Sequence, residues 1–426
     1  MAQINVTKRG SCWQYRFEAA KVDGKRKQIS KSGFRTKKEA LEAGAKALAE
    51  YNRSGIHFEP SDISVSDYLD YWFDNYCKIE LGYNTQLAYL SIIENHLKPR
   101  FGIFQLSALT TASIQPFAND LKLNGISRSH LTGILSVLSA ALDYAVEPLH
   151  YIQFNPAKSV RTPKIEKKPR ERIILKNEEF EQIIERFPAT SRFYIPLMIG
   201  YYTGVRISEC FGLTWDDIDL ENRTITIQHQ SAKRNYGVDA RKVLKEKGKK
   251  EEKSAWYLTN KLKTKTSART LKFGDTLYHA LKDEKNRQLQ NELQYGEFYT
   301  IHVLKPEDDG RGNILYRIIP LQKCVECQYN RCRLVCIDEN GEYTTTDSFK
   351  YCSRVIHNQL HIAFDYHSLR HTHATKLIEA GASVKSVSAR LGHTNVETTM
   401  NIYVHNTEVM EDHTVELFEK SVGKIV

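Results

Sequence analysis

The chain has 426 residues, 41% of them apolar and 26% charged, with a formal net charge of +10. That length exceeds what one hydrophobic core organises and implies two or three domains. No apolar run approaches membrane-spanning length, and the opening MAQINVTKRGSCWQYRF lacks the apolar stretch of a secretion signal, so neither a membrane protein nor an exported one is expected.

In chain order, residues 1–60 come first, with 13 Lys and Arg against 6 Asp and Glu. Trp13, Tyr15 and Phe17 alternate with Gln14, Arg16 and Glu18, the signature of a half-buried strand. Asp23-Gly24 is a hairpin turn signal, and a basic strand over Lys25–Lys31 follows it. Thr36 with Glu39 three residues on predicts a capping box opening a helix over Lys37–Asn52. A basic sheet backed by one helix can lay its polar face in a DNA groove, with Arg16, Lys25, Arg26, Lys27 and Lys31 as the expected contacts.

Residues 61–154 read as a helical bundle. Tyr68, Leu69, Trp72, Phe73 and Tyr76 make a broad apolar stripe, and Asn84 is placed to cap a second helix that stops at Pro99. Two more helices fit Thr111–Leu123 and Ser127–Ala145. Residues 155–172, rich in Pro and basic side chains, read as a linker. From residue 173 onward, helices fit Asn177–Phe187 and Ser191–Tyr202, and strands fit Thr224–Gln228, Ser254–Asn260 and Arg269–Phe273. A second basic concentration, Lys233–Lys272, holds 14 basic and 4 acidic residues. Two separated basic stretches predict two places where a polyanion touches the protein. The expected architecture is multidomain and mainly α, with small antiparallel sheets.

The residues that carry chemistry lie in the last domain. His367 and Arg370, three apart at the start of an amphipathic helix, share one face. His393 follows Gly392 at the next helix start, and Tyr403 comes ten residues later. Arg206 stands in TGVRISE after a Gly that can turn the chain, with Glu209 one turn on, and Lys263 lies in KLKTKTSARTLKF in a turn between two strands, with Lys265 two residues on as the competing candidate. Arg and His donors would hold a phosphate, a phenol could attack it, and a Lys ammonium could protonate a leaving oxygen. No phosphate-cradling GxxxxGK[ST] and no carboxylate cluster accompanies them.

TGVRISE, KTKTSART, HSLRHTHAT, LGH and the Tyr of NIY stand in the order and spacing of the tyrosine recombinases, the phage-type integrases, and the chain most resembles those of conjugative transposons and prophages. The resemblance implies an arm-type DNA-binding domain (1–60), a core-binding domain (61–154) and an α+β catalytic domain (173–426). It implies that Tyr403 attacks the scissile phosphodiester to form a 3′-phosphotyrosyl link, and that Arg206 and Arg370 clamp the phosphate. His367 and His393 would add hydrogen bonds, Lys263 would act as general acid and Glu209 would brace the site. The implied chemistry needs neither ATP nor a metal cofactor, which agrees with the missing GxxxxGK[ST] and carboxylate cluster. Double-stranded attachment-site DNA, a tetramer on that DNA and an accessory directionality factor are the implied partners. A resolvase or topoisomerase-like relative with the same chemistry, and a catalytically silent DNA-binding regulator, remain open alternatives.

One stretch departs from the family pattern. An insertion around residues 295–357 holds Cys324, Cys327, Cys332 and Cys336, a weak zinc candidate, since Cys336 in LVCIDENGEY also reads as strand–turn–strand. Four cysteines crowded there do not read as a disulfide framework, and a reducing cytoplasm is the expected setting. Lys323, Arg331 and Arg333 suggest that the insertion faces DNA or another protomer. A short helical pattern in Glu408–Val426 is expected to dock onto a neighbouring protomer or back onto its own chain.

Overall fold

The alternation of Trp13, Tyr15 and Phe17 with polar residues does produce a strand, and the computed structural model sets it at the centre of a three-stranded antiparallel sheet. The strands are β1 (Asn5–Arg9), β2 (Cys12–Glu18) and β3 (Gln28–Phe34). The structure describes residues 4–18, 28–54, 63–166, 172–235, 254–260 and 268–400. They fall into two units, 1–168 and 169–426. The Asp23-Gly24 turn, Lys25, Arg26, Lys27, Lys263, Tyr403 and the Glu408–Val426 pattern lie outside the described residues.

Tyr15 and Phe17 are buried together with Ala47 of α1 (Lys37–Ser54). The capping box differs in one partner. Thr36 Oγ1 accepts from the Glu39 N–H, but the Glu39 carboxylate reaches one residue further back, to the Arg35 N–H. Strand register separates two of the expected DNA contacts. Arg16 lies opposite Ser30 on the sheet's open face, whereas Lys31 lies opposite Tyr15 and so shares the helix-facing side. Strand β1 went unrecognised because NVTKR is too polar to show alternation.

Residues 63–166 form the bundle. It contains α2 (Val65–Trp72), α3 (Tyr83–Ile92), α4 (Thr111–Leu123) and α5 (Arg128–Val146). Tyr68, Leu69, Trp72 and Phe73 are buried as the stripe requires. Asn84 is not the cap of α3; Gly82 is, one residue before the helix begins. Nor does the helix stop at Pro99. The Lys98 N–H reaches back five residues to the Ile93 carbonyl, a wide turn that interrupts the regular ladder, and Pro99 then sits in the first turn of Lys98–Phe101. A missing N–H costs little at that position. The expectation about apolar runs also needs amending. Helix α5 is long and apolar enough to cross a membrane by length and composition, but Leu131, Ile134, Leu138 and Leu142 are buried in the bundle.

The stretch read as a linker from residue 155 starts as part of the bundle. Asn155 Nδ2 donates to the Ser139 carbonyl at 2.9 Å and to Asp143 Oδ1 at 3.0 Å, and Gln115 exchanges two hydrogen bonds with the Arg161 backbone.

In the second unit, α6 (Asn177–Arg186) and the almost wholly buried α7 (Tyr194–Thr203) lead into the single-turn α8 (Ile207–Cys210). A small antiparallel sheet joins β4 (Ile218–Asp219), β5 (Thr224–Ile227) and β8 (Arg269–Lys272). A second sheet joins β6 (Gln230–Asn235), β7 (Ser254–Thr259), β9 (Thr300–Asp308), β10 (Ile314–Gln322) and β11 (Arg331–Cys332), in the order β11-β9-β10-β7-β6. The strands flanking Lys263, β7 and β8, therefore belong to different sheets. They do not pair with each other, and the turn read at Lys263 lies between them, outside the described residues.

Helices α9 (Asp275–Tyr295), α10 (Thr346–Gln359), α11 (Tyr366–Glu379), α12 (Val384–Leu391) and the short α13 (Val396–Met400) complete the unit. The core runs through Leu197, Ile199, Phe211, Leu277, Phe349, Ile356 and Leu369. Gly200 lets α7 and α11 meet closely, because a Cβ there would lie 2.7 Å from Leu369 Cδ1 and 2.9 Å from the Tyr366 hydroxyl.

The insertion is an outgrowth of the larger sheet. Strand β10 pairs with β7 at Tyr316↔Leu258, and the excursion closes near Thr345, since Phe349, Cys352 and Ile356 of α10 already belong to the core. Its cysteines do not converge. Cys332 and Cys336 are buried in different clusters while Cys324 and Cys327 are exposed. Among the described residues no group of three or more His, Cys, Asp or Glu is placed to hold a metal. Cys336 is a buried core residue, but LVCIDENGEY does not form the expected strand–turn–strand: Ile337 and Tyr343 make only an isolated bridge across the turn. Lys323 and Arg331 both pair with Glu292, at 3.1 and 2.8 Å, and Arg333 is exposed.

Candidate active site

Each described site residue is held at a helix end. Asp365 caps α11 by accepting from the Ser368 N–H at 2.7 Å, which starts the helix one residue before His367 and buries Arg370 on its inner side. Gly204 ends α7 at φ +66°, a left-handed conformation that only glycine adopts without strain, and turns the chain into Arg206 at the start of α8. Gly392, at φ +68°, does the same after α12 and delivers His393.

Three guanidiniums converge on one short segment. Arg370 is 2% exposed and donates to the carbonyls of Gly204 at 2.7 Å and Leu391 at 2.6 Å. Arg206 donates to the Gly392 carbonyl at 3.3 Å, and Arg269 to the Arg390 carbonyl at 2.8 Å. Residues 390–392 are thus held by one arginine from α11, one from the start of α8 and one from β8. Glu209, also 2% exposed, binds both outer arginines: Oε1 accepts from Arg206 Nη1 at 2.7 Å and Oε2 from Arg269 Nη2 at 2.9 Å. Oε2 also accepts from the Arg206 N–H.

Electrostatics follow from that crowding. Burial alone raises the Glu209 carboxyl, but the hydrogen bond and charge of Arg269, then those of Arg206, outweigh it and keep it below the usual carboxylate range. Burial, with repulsion from Arg206, pushes Arg370 down to about 9. Burial and the charge of Arg370 lower His367. Burial, with Arg370 and Arg206, pushes His393 down to about 4. Both imidazoles are therefore neutral at pH 7. The His393 Nδ1 lies 2.8 Å from Thr399 Oγ1. The His367 ring meets His371 edge-on at 4.6 Å.

The structure thus brings together Arg206, Glu209, His367, Arg370 and His393. Arg269 is the participant that sequence reasoning missed. It stands in the quoted KTKTSART motif, but nothing in a run of basic residues marks which one turns inward.

Three comparisons bear on what this arrangement belongs to. Among solved structures, the Tn1549 transposon integrase bound to a circular intermediate DNA has a TM-score of 0.58 at 20% identity, covering 84% of this chain and 99% of that one. A lambda integrase tetramer bound to a Holliday junction has a TM-score of 0.51 at 16% identity, covering 94% and 97%. These likenesses establish the fold as that of the tyrosine-recombinase integrases. The profile of the phage integrase family matches residues 174–409, that of an arm DNA-binding domain 5–51, and that of the phage integrase N-terminal SAM-like domain 64–122. With more than half its length matched, the chain belongs to the phage integrase family. A tyrosine recombinase XerC-like protein of Caldanaerobacter subterraneus subsp. tengcongensis is 27% identical over 90% of this chain and 89% of its own length. The ICEBs1 integrase of Bacillus subtilis is 24% identical over 87% and 86%.

Proposed function

We infer that this protein is a site-specific DNA recombinase of the tyrosine type, which breaks and rejoins DNA strands to integrate, and to excise, a mobile element. One observation carries the site-level reading: the buried Arg370 has carbonyls for hydrogen-bond partners, and Glu209, the one buried carboxylate in the cluster among the described residues, is shared by Arg206 and Arg269. Buried positive charge in excess of its carboxylate calls for an anion. A guanidinium has five N–H donors, so among the described residues Arg370 retains three after its two carbonyl bonds. A phosphodiester, with two non-bridging oxygens and one negative charge, suits a pair of such groups.

The chemistry then follows with its atoms balanced. The Tyr403 phenolate oxygen attacks phosphorus, a new P–O bond forms, and the bond to the 5′-oxygen breaks. The phenol proton passes to a neutral base, for which His367 is suited because burial, with the charge of Arg370, keeps it unprotonated. Lys263 protonates the departing 5′-oxygen. Arg206 and Arg370 stabilise charge that builds on the non-bridging oxygens, and His393 adds a hydrogen bond. One phosphate ester replaces another, so the intermediate keeps the energy needed to rejoin a different strand.

The boundaries that suit this reading are an arm-binding domain at 1–60, a core-binding domain from 61 that takes in the stretch after Asn155, and a catalytic domain at 173–426. The match to an arm DNA-binding domain favours an integrase over a simple resolvase. Assembly as a tetramer on attachment-site DNA, with an accessory directionality factor and in the cytoplasm, completes the proposal.

The test is a nicked suicide substrate incubated with the full chain. The wild type should form a covalent protein–DNA adduct, in EDTA as well as without it. Tyr403→Phe should bind the same DNA and form none. An adduct with that variant removes Tyr403 from its role, and a strict magnesium requirement points to different chemistry.

A further inference from the structure

Two side chains that no step above employs tie together the segments that carry the site. His373 lies on α11 one turn beyond Arg370, and Arg390 is next to last in α12. Arg390 Nε donates to His373 Nε2 at 3.0 Å. A nitrogen that accepts from a guanidinium carries no proton, so the ring's single proton is on Nδ1, which donates to the Tyr201 carbonyl at 2.9 Å. Arg390 Nη2 reaches two further carbonyls, Tyr202 at 3.3 Å and Lys272 at 3.0 Å. Its own carbonyl is the one that Arg269 holds.

Each of those partners lies immediately beside a catalytic element. Tyr201 and Tyr202 lie in the last turn of α7, five and four residues before Arg206. Lys272 ends β8, the strand that brings Arg269 to Glu209. Arg390 comes three residues before His393. The His373 ring also packs over the turn that leads to Arg206, since a Cβ on Gly204 would lie 2.8 Å from His373 Cδ2. Gly204 supplies one of the two carbonyls bound by Arg370.

We propose that His373 and Arg390 are a positioning pair for strand cleavage: neither touches DNA, and together they hold Arg206, Arg370 and His393 at one distance from the scissile phosphate. This deepens the recombinase reading and rests on it. Arginine suits the task because its planar fork serves an imidazole and two carbonyls at once, which a lysine ammonium on a flexible stem does not do in one geometry. Positioning matters because a misplacement of about 1 Å costs up to about a hundredfold in rate.

The experiment uses the full chain and the suicide substrate at saturating DNA, comparing wild type, His373→Phe, His373→Gln, Arg390→Lys and the His373→Phe/Arg390→Lys double variant. His373→Phe keeps a ring against Gly204 and removes both hydrogen bonds, so it separates packing from positioning. His373→Gln restores an acceptor for Arg390. The expected result is core-site binding within about twofold of wild type, with single-turnover cleavage at least about tenfold slower for His373→Phe and Arg390→Lys. His373→Gln should recover part of the rate, and the double variant should be no slower than the worse single one. Wild-type cleavage by His373→Phe at saturation, a loss confined to DNA affinity, or multiplicative losses in the double variant would each overturn the pairing. Should His373→Phe fail to fold, as a thermal melt would reveal, Arg390→Lys decides alone: wild-type saturated cleavage by it overturns the proposal. Absence of any adduct with the wild type would instead refute the recombinase reading.

Discussion

Glu209 and Arg269, 60 positions apart in the chain, meet at 2.9 Å with side chains only 2% and 8% exposed. The arginine keeps the carboxylate ionised in the interior, and the carboxylate in turn fixes Arg206 from the other side.

Removing either partner leaves a buried charge short of its counter-ion. Arg269→Ala should destabilise the protein by about 3 kcal/mol, within the range typical of breaking a buried pair from one side. Glu209→Gln keeps the shape and some hydrogen bonding and should cost less, while slowing cleavage because Arg206 loses its charged brace. Urea unfolding alongside adduct formation checks both. An Arg269→Ala variant of unchanged stability would show that the pair is not the buried bridge described.

The N-terminal sheet makes a sharper prediction than its net charge alone. Arg16 is on the open face and Lys31 opposite Tyr15 on the helix side. Arg16→Ala should weaken accessory-site binding and reduce the slope of log affinity against log salt by about one, whereas Lys31→Ala should change the slope less. Deleting residues 1–60 should flatten that dependence while leaving core-site cleavage intact. Equal effects of the two substitutions would mean that the sheet's open face is not the contact surface.

Acid should unfold the catalytic unit earlier than its carboxylates alone would dictate. Burial and neighbouring cations push His371, His373 and His393 down to about 4, below the ordinary value of 6.5. In that window the unfolded chain binds more protons than the folded one. The stability these groups contribute is therefore present above pH 6.5 and is lost as pH falls towards 4. Glu284, whose carboxyl burial raises, acts in the opposite sense and offsets part of the loss. Each kcal/mol lost lowers Tm by about 2–4 °C in a unit of this size. Melting curves from pH 8 to 4.5 should be flat at first and then fall by several degrees; a constant Tm throughout would contradict the buried, neutral imidazoles.

Taken alone, the chain's local patterns determined a good deal. The three strands forecast after Tyr202 appear within one residue of their forecast ends, and α4 spans Thr111–Leu123 as expected. Arg206, Glu209, His367, Arg370 and His393 could be picked out because turn glycines and i, i+3 spacing are written in adjacent residues. Where the chain misled, adjacency was mistaken for proximity. Cys324, Cys327, Cys332 and Cys336 crowd within thirteen positions, yet the folded insertion places one pair in two separate cores and exposes the other. Only tertiary structure decided which basic side chains point inward. Arg269 and Arg390 resemble their basic neighbours, and what holds them is a carboxylate, an imidazole and backbone carbonyls supplied by distant segments. A carbonyl is present at every residue, so no residue type marks where a guanidinium will find one until the chain has folded.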